Sequence, residues 1–513
     1  MTGRVLAIDL GTSGVKVAIV DAEGRVLGTG SEALPTLFLP DGGAEQDPEL
    51  WWDAIGRCAR YAMQASDLAR TAIEAVVVTA QYMSIVAIDR RGHPLMNAIM
   101  WMDKRGQSHH AHLETGEAFM LWLDRHGLVP LGNDDIAHIF LIRALHPEID
   151  EQVAAYVEPV DYLNARLTGR ITATQTTAFP LLTVDNRTKG ALAHSPELVE
   201  MARLDPAKLP PLVPYHEIIG HLTAEAAEHL GVTANAVVPT GTIDSITSAV
   251  GSGALDHTAC SIIVGTTSVM VTHVDHKNSD LNHGVISVPS PLPGQYFVMA
   301  ENGVGGKALE FLLRNIVFAD DALGHESMPT DAYERAEAAA ATVASGSEGV
   351  MFLPWLVGSM APAHDDHVRG GFVNLTLTTS RAQLVRSVLE GVALNFQWLL
   401  GPVSEFASTT WSELRFGGGA SSALWASIMA DALGVTVHQL AEPRTTNARG
   451  AAYLALERLG HIRLHDIPKL LRVHHTFEPD PGRVAQYERM GQCFRDFHER
   501  SRPFYRALNT QHL

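Results

Sequence analysis

Residues 5–21 read V-L-A-I-D-L-G-T-S-G-V-K-V-A-I-V-D, and residues 261–272 read S-I-I-V-G-T-T-S-V-M-V-T. Superimposing Gly11 on Gly265 aligns an apolar strand, a Gly-Thr turn and a second apolar strand in each, about half the chain apart. A glycine turn presents unpaired backbone N–H groups, Thr or Ser adds hydroxyl donors, and together they suit a phosphate. One copy in each half predicts two like-folded domains gripping one nucleotide from both sides; the plainer alternative is two unrelated tight hairpins. The copies differ at one informative position, where Asp9 aligns with Ile263. Only the first hairpin offers a carboxylate, and a phosphate-bound Mg²⁺ needs one.

The bulk numbers agree with two large domains. A chain of 513 residues exceeds what one core supports, and 46% apolar with 19% charged residues is ordinary for a soluble protein. No apolar run approaches the roughly 18 residues of a membrane helix. The strand beginning at Val5 leaves no room for a leader, and three scattered cysteines, Cys58, Cys260 and Cys493, argue against a disulfide framework or zinc site. A cytoplasmic protein is expected. The net charge of −19 argues against nucleic acid as a main partner, without opposing a nucleotide held by local glycine turns. The cluster His109, His110 and His112 reads as a solvated helix face rather than a metal site.

Strands are predicted at 4–9, 15–20, 25–30, 75–79, 237–239 and 414–416, from short apolar runs bounded by turn residues. Helices are predicted at 48–63 with Asp47 as N-cap, at 161–168 stopped by Gly169, and from 244 to about 250. Further helices are expected at 308–316, 381–400, 424–433 and 447–456 from their 3.6-residue apolar spacing. Residues 463–513 read as a mainly helical extension on the outside. Gly303-Val304-Gly305-Gly306-Lys307 fails the G-x-x-x-x-G-K-[ST] spacing, and Ala308 follows the lysine.

Several residues carry candidate chemistry. Asp9 ends a buried strand beside the turn at 11–14, so it can hold Mg²⁺ through water while Thr12, Ser13 and the backbone hold phosphate. Lys16 either reaches a phosphate oxygen or simply points outward from its strand. Asp244 follows Gly241-Thr242-Ile243 at a strand-to-helix junction. It is placed either to accept a proton from a hydroxyl attacking a γ-phosphate or to cap the helix. The helix dipole is expected to keep it ionised and therefore a weak base. Gly417-Gly418-Gly419 before a helix lets a flat purine lie against backbone, or serves tight packing. Trp101-Met102-Asp103-Lys104-Arg105 sets an aromatic face among fixed polar groups, which suits a sugar or an anchored surface turn.

In their order and spacing these segments resemble the FGGY family of carbohydrate kinases, within the actin-like, ribonuclease-H-like ATPase superfamily. The resemblance rests on A-I-D-L-G-T-S-G-V-K at 7–16, E-Q-D-P-E-L-W-W at 45–52, W-M-D-K-R at 101–105 and D-Y-L-N-A-R-L-T-G at 161–169. It continues through D-S-I-T-S-A-V-G-S-G at 244–253, G-T-T-S at 265–268, F-L-P-W-L-V-G at 352–358, L-E-G-V-A at 389–393, F-G-G-G-A at 416–420 and A-R-G-A-A at 448–452. It implies an α/β fold of two actin-like domains, 1–253 and 254–513, with a cleft between them and a helical extension from about 463. It implies ATP and Mg²⁺ as cofactors and a small sugar or polyol as the only expected partner; a homodimer stays open. Asp244 then looks like the catalytic base. Asp9 looks like the metal carboxylate, with Gly11, Thr12, Ser13 and Lys16 forming one phosphate loop. Gly265, Thr266 and Thr267 form the other, and Gly306, Gly417, Gly418, Gly419 and Ser421 lie on the nucleotide side. Gln81, Tyr82, Met83, Trp101, Asp103, Asp244 and Ser245 look like the sugar side.

Among family members the chain is most similar to xylulokinases, and it departs from them on the sugar side. Their G-Q-M-H-G is Ala80-Gln81-Tyr82-Met83-Ser84 here, with Met83 in the histidine position. The Asn usual after the catalytic Asp is Ser245, the G-E-R-x-P segment is Gly358-Ser359-Met360-Ala361-Pro362, and a frequent lysine is replaced by His138. D-Xylulose is the leading substrate, with another ketose or a linear polyol such as xylitol or erythritol as rival. A non-catalytic sugar sensor on this fold would be expected to lose Asp9 or Asp244, and both are present. A chaperone or filament protein of the superfamily would need an appended domain or polymer contacts, for which the sequence has no candidate.

Overall fold

Asp9 faces Lys16 across the first hairpin of the chain, where strand β1 (Arg4–Gly11) pairs antiparallel with β2 (Gly14–Asp21) and Gly11 meets Gly14 around a two-residue Thr12-Ser13 turn. The structure, a computed structural model, describes residues 3–113, 116–215, 217–420 and 422–509. Strand β3 (Val26–Ala33) pairs antiparallel with β2, and its Gly28 and Gly30 let helix α1 (Pro48–Ser66) lie against it. A Cβ on Gly30 would stand 2.3 Å from the Cys58 carbonyl oxygen, which explains the glycine. Asp47 caps α1 by accepting from the Glu49 amide, as its place before Pro48 predicts. Strand β4 (Ala75–Ala80) then runs parallel to β1.

Helix α2 (Pro159–Thr168) ends at Gly169 in the left-handed conformation. Strands β5 (Ile218–His221), β6 (Val237–Pro239) and β7 (Thr242–Ile243) complete the first sheet, in the order β5-β6-β4-β1-β2-β3 with β7 also pairing with β4. Helix α3 (Asp244–Gly251) leaves β7 directly.

The second sheet repeats the plan. Its strands are β8 (Ser261–Val264), β9 (Thr267–Val274), β10 (Val285–Pro289) and β11 (Tyr296–Val304). After helices α4 (Gly306–Leu312) and α5 (Arg381–Phe406) come β12 (Glu413–Gly417), helix α6 (Ala423–Leu433), β13 (Thr436–Leu440), helix α7 (Thr446–Arg458) and β14 (Val473–Phe477). The order is β10-β11-β9-β8-β12-β13-β14, with Ser279–Asp280 beyond β10. The run β11-β9-β8-β12-β13 matches β3-β2-β1-β4-β6 strand for strand, two antiparallel pairings followed by two parallel ones. The sequence repeat is therefore a structural repeat.

Helices α3 and α7 cross in backbone contact: a Cβ on Gly450 would lie 1.8 Å from the Thr247 carbonyl oxygen, and one on Gly251 2.0 Å from that of Thr446. Through α7 the two sheets share a core, in which Val5 and Ala7 of β1 join Ala451 and Leu454 of α7, Val271 of β9 and Phe297 of β11. The C-terminal region is mainly helical and lies on the outside, as expected, and it adds a strand that the sequence reading did not foresee. Strand β14 closes the sheet edge, and helix α8 (Pro481–Asn509) buries Tyr487, Phe494 and His498, with the Tyr487 hydroxyl donating to Glu390 at 2.7 Å. The histidine cluster is not one solvated helix face: it lies on two short 3₁₀ turns, and His110 is buried. Among the described residues no helix is long and apolar enough to cross a membrane.

Candidate active site

Three neighbouring strands place the first group of residues at one level. Asp9 of β1 stands opposite Thr79 of β4, and Thr79 stands opposite Thr242 of β7, two residues before Asp244. Both aspartates thus lie where the parallel strands end. Asp9 is buried, and among the described residues neither carboxylate oxygen accepts a hydrogen bond and its one ion-pair partner is Lys16 Nζ at 3.5 Å, directly across the hairpin. A buried carboxylate with free lone pairs costs free energy unless something else uses them. That pattern fits a hydrated Mg²⁺ held by a single carboxylate.

The turn beside Asp9 is braced from outside. Trp101 Nε1 donates to Thr12 Oγ1 at 3.1 Å, and Gln46 Nε2 donates to the Thr12 carbonyl at 2.7 Å. The bond to Trp101 uses a lone pair of Thr12 and leaves its proton available to a ligand. Ser13 is exposed at the tip.

Asp244 is the first residue of α3, and Ile243 occupies the cap position without a side-chain bond. Asp244 therefore does not cap the helix. Its Oδ1 accepts from Ser245 Oγ at 3.1 Å, and its carbonyl accepts from Thr247 Oγ1, which is 2.8 Å from Thr79 Oγ1. Burial first, and the charge of Asp9 second, push its carboxyl up to about 7, against the smaller opposing effects of Ser245 and Lys16. This overturns the expectation of a weak, fully ionised base: desolvation beside a second carboxylate outweighs the helix dipole.

The second hairpin is built differently. Its loop spans Gly265, Thr266 and Thr267, with Val264 opposite Ser268. The Gly305 and Lys307 amides donate to the Thr266 carbonyl, and the Gly306 amide to that of Gly265 at 2.8 Å, which seats the start of α4 on the loop. Beside it is a cavity of about 580 Å³ that brings Lys16 of the first half together with Gly265, Thr266, Gly306 and Gly419 of the second. Leu389, Trp425, Tyr333 and Arg444 line it too, and the sequence reading assigned none of them to the nucleotide side. Thr267, Gly417 and Gly418 are not among the residues that line it. Gly418 has φ +94°, and a Cβ there would lie 2.4 Å from the Val264 carbonyl oxygen, so this glycine serves close strand–loop packing rather than contact with a base. Ser421 lies outside the described residues.

On the acceptor side, Gln81 is buried, its amide donates to the Leu10 carbonyl at 2.7 Å, and its Oε1 has no partner. Tyr82 and Met83 are half-buried, and Met83 has φ +61°. Asp103 is corrected. It is fully buried and saturated by the Arg105 guanidinium, at 2.6 Å from Nη2, and by the Ala44 and Arg105 amides. Burial alone would raise its carboxyl; these bonds win and hold it below the usual range. Asp103 fixes the Trp101 loop, and buried His138 supports the same loop through the Asp103 carbonyl at 3.1 Å.

Residues 4–251 match the family model described as the N-terminal domain of the FGGY family of carbohydrate kinases, and residues 260–457 match the model of its C-terminal domain. The chain belongs to this family. It is a sugar phosphotransferase. A xylulose kinase of Staphylococcus epidermidis is 26% identical over 522 residues, covering 99% of this chain and 98% of that protein. A gluconokinase of Bacillus licheniformis is 25% identical, covering 96% of this chain and 95% of that protein. The crystal structure of xylulose kinase from Rhodospirillum rubrum superposes with a TM-score of 0.83 at 26% identity, covering 98% of this chain and 99% of that one.

For this FGGY kinase, sequence reasoning overlooked Gln46, the hub between Thr12, Trp51 and Gln81. The signal was available, because Gln46 is the second residue of the shared segment at 45–52 and lies next to a helix cap it does not form.

Proposed function

We propose that this kinase transfers the γ-phosphate of ATP to a hydroxyl of D-xylulose or a closely related ketose. The observation that carries the reading is the placement of Asp244 two residues beyond Thr242, which lies level with Asp9 across Thr79, together with a glycine-walled cavity reached by Lys16. Residues 1–253 serve as the acceptor-side domain and 254–513 as the nucleotide-side domain. Mg²⁺, carried on the nucleotide phosphates, supplies charge neutralisation, and Asp9 is the residue to hold it through water. Thr12 and Ser13 and the loop at Gly265 and Thr266 offer donors to the phosphates, with Lys16 between them. Asp244 accepts the acceptor hydroxyl's proton; a carboxyl poised near 7 is better matched to that task than an ordinary aspartate.

A linear polyol is the second reading, favoured by Met83, which offers the acceptor no donor where the resembled xylulokinases have histidine. A coupled assay of ADP release across pentuloses, hexuloses and polyols tests both. Turnover fastest on a pentulose supports the first reading, and turnover fastest on a polyol the second. Turnover with no acceptor at all overturns both.

A further inference from the structure

The helix Ala332–Ala341 packs its stripe of Ala332, Ala336 and Ala340 into the second-half core, which places Tyr333 and Glu337, one helical turn apart, along the neighbouring stripe. Both line the cavity of about 580 Å³ that Lys16, Gly265 and Thr266 also line. Glu337 is half-buried and fixed: its Oε1 accepts from the Leu424 amide, in the first turn of α6, at 2.9 Å. Among the described residues its side chain makes no other hydrogen bond and no ion pair, so Oε2 is left for a ligand. The other two carboxylates of the lining differ. Glu310 is spent on Lys307 at 3.0 Å and Arg314 at 2.8 Å, and Glu334 is exposed.

The two ends of the cavity suit different parts of one molecule. One end is polar and glycine-walled. There the Gly306 amide donates to the Gly265 carbonyl at 2.8 Å, and a Cβ on Gly306 would come 3.0 Å from Ala420 Cβ, so the hairpin loop, the start of α4 and the turn after β12 meet. The other end is apolar. Trp425 Nε1 donates to the Leu389 carbonyl at 3.0 Å, and Leu389 and Val385 are buried one turn apart on α5. The chain passes from the first end to the second between Ala420 and Trp425, with the bond from Leu424 to Glu337 next to Trp425. Phosphates suit the donors of the first end, and a flat heterocycle suits the apolar wall of the second.

We infer that Glu337 reads the base: its free oxygen accepts the exocyclic amino group of adenine, and Tyr333 covers the ring. The inference rests on the kinase reading and names what selects its nucleotide. At C6 adenine presents an amino donor, where guanine and hypoxanthine present a carbonyl acceptor. An ionised carboxylate only accepts, so it favours the amino group and repels the carbonyl. The Leu424 amide makes the position directional, because that N–H demands an acceptor at Oε1. In Glu337→Gln the amide oxygen stays on Leu424 and the NH₂ takes the place of Oε2, so the group offered to the base becomes a donor.

The test uses the full chain with Mg²⁺ and whichever of D-xylulose and xylitol is the better acceptor. It compares ATP with purine riboside triphosphate, which lacks only the amino group. ATP should lead in kcat/KM by about tenfold or more, the worth of one hydrogen bond to a charged group. Glu337→Gln should lower the ratio of ATP to inosine triphosphate by about tenfold or more, with KM for the acceptor unmoved. Tyr333→Ala should raise KM for ATP about fivefold or more, the lower range of a lost base stack. Binding of ADP and of purine riboside diphosphate is also measured by calorimetry without turnover. ATP and purine riboside triphosphate used equally, GTP preferred to ATP, or a ratio of ATP to inosine triphosphate unmoved by Glu337→Gln overturns the inference while the kinase reading stands. ADP bound more tightly than purine riboside diphosphate in a Glu337-dependent way, with no acceptor phosphorylated, supports the inference while the kinase reading fails. Neither binding nor turnover overturns both.

Discussion

The two hairpins occupy equivalent places in their sheets and carry different side chains. Asp9 stands opposite Thr79 in the first, and Ile263 stands opposite Gly417 in the second. The frame tolerated the exchange of a carboxylate for an aliphatic chain because each strand is held by its backbone ladder and its neighbours, not by that one side chain. The first turn has two residues and is braced by Trp101 and Gln46. The second has three, and its carbonyls accept the amides of 305–307 at the start of α4. On the proposed reading, each hairpin offers donors to one nucleotide, and of the two hairpins the first carries the carboxylate, Asp9.

The sharpest way to break this asymmetry is to remove the base. Asp244→Ala should fold and bind ATP while kcat falls by about 10²–10⁴-fold, the usual cost of losing a general base. A variant keeping more than about a tenth of the parent kcat would withdraw the assignment.

Making the first hairpin resemble the second should have the next largest effect. Asp9→Asn keeps the shape and removes the charge. Losing even an outer-shell metal partner costs about 10–100-fold in metal affinity, so the Mg²⁺ concentration for half-maximal rate should rise by at least that lower figure. Overlaying Mg²⁺ titrations for variant and parent would refute the metal role.

The same pair of aspartates sets the pH response. Asp244 acts only when deprotonated, and its carboxyl is raised to about 7. Activity should therefore be full above pH 7 and decline as pH falls through it, by about tenfold per unit below. Because the Asp9 charge is the second cause of the shift, the midpoint of the kcat/KM profile should move to lower pH in Asp9→Asn. A midpoint near the ordinary aspartate range in the parent enzyme, or one that Asp9→Asn leaves in place, would show that another group limits the rate.

What the sequence revealed and what it hid follow from range. The hairpins were legible because a glycine turn between alternating apolar runs is a local signal. The Asp47 cap and the Gly169 stop were legible for the same reason. Asp103 was misread although its partner Arg105 lies two residues away, since a short-range ion pair and a sugar-facing acid look alike in a string. The raised carboxyl of Asp244 was out of reach, because it depends on burial and on Asp9, far away in sequence. Strand β14 was hidden by His474 and His475, polar residues at a sheet edge that give no apolar alternation.

The smallest effect is expected at Met83, and the backbone sharpens that test. Met83 has φ +61°, a left-handed conformation in which His is found more readily than an unbranched aliphatic chain. Met83→His therefore adds a hydrogen-bonding ring without added backbone strain, and the melting temperature should stay within a few degrees. The residue is half-buried between Tyr82 and Ser84, whose hydroxyl accepts from the Trp101 amide at 3.2 Å. If it faces the acceptor, a new donor there should favour substrates with a matching carbonyl or hydroxyl by about 1–3 kcal/mol. The ratio of kcat/KM between D-xylulose and xylitol should then rise several-fold. An unchanged ratio in a variant of unchanged stability would mean that Met83 only fills space behind the Gln81 turn. Acceptor choice would then rest on the Trp101 loop and Ser245.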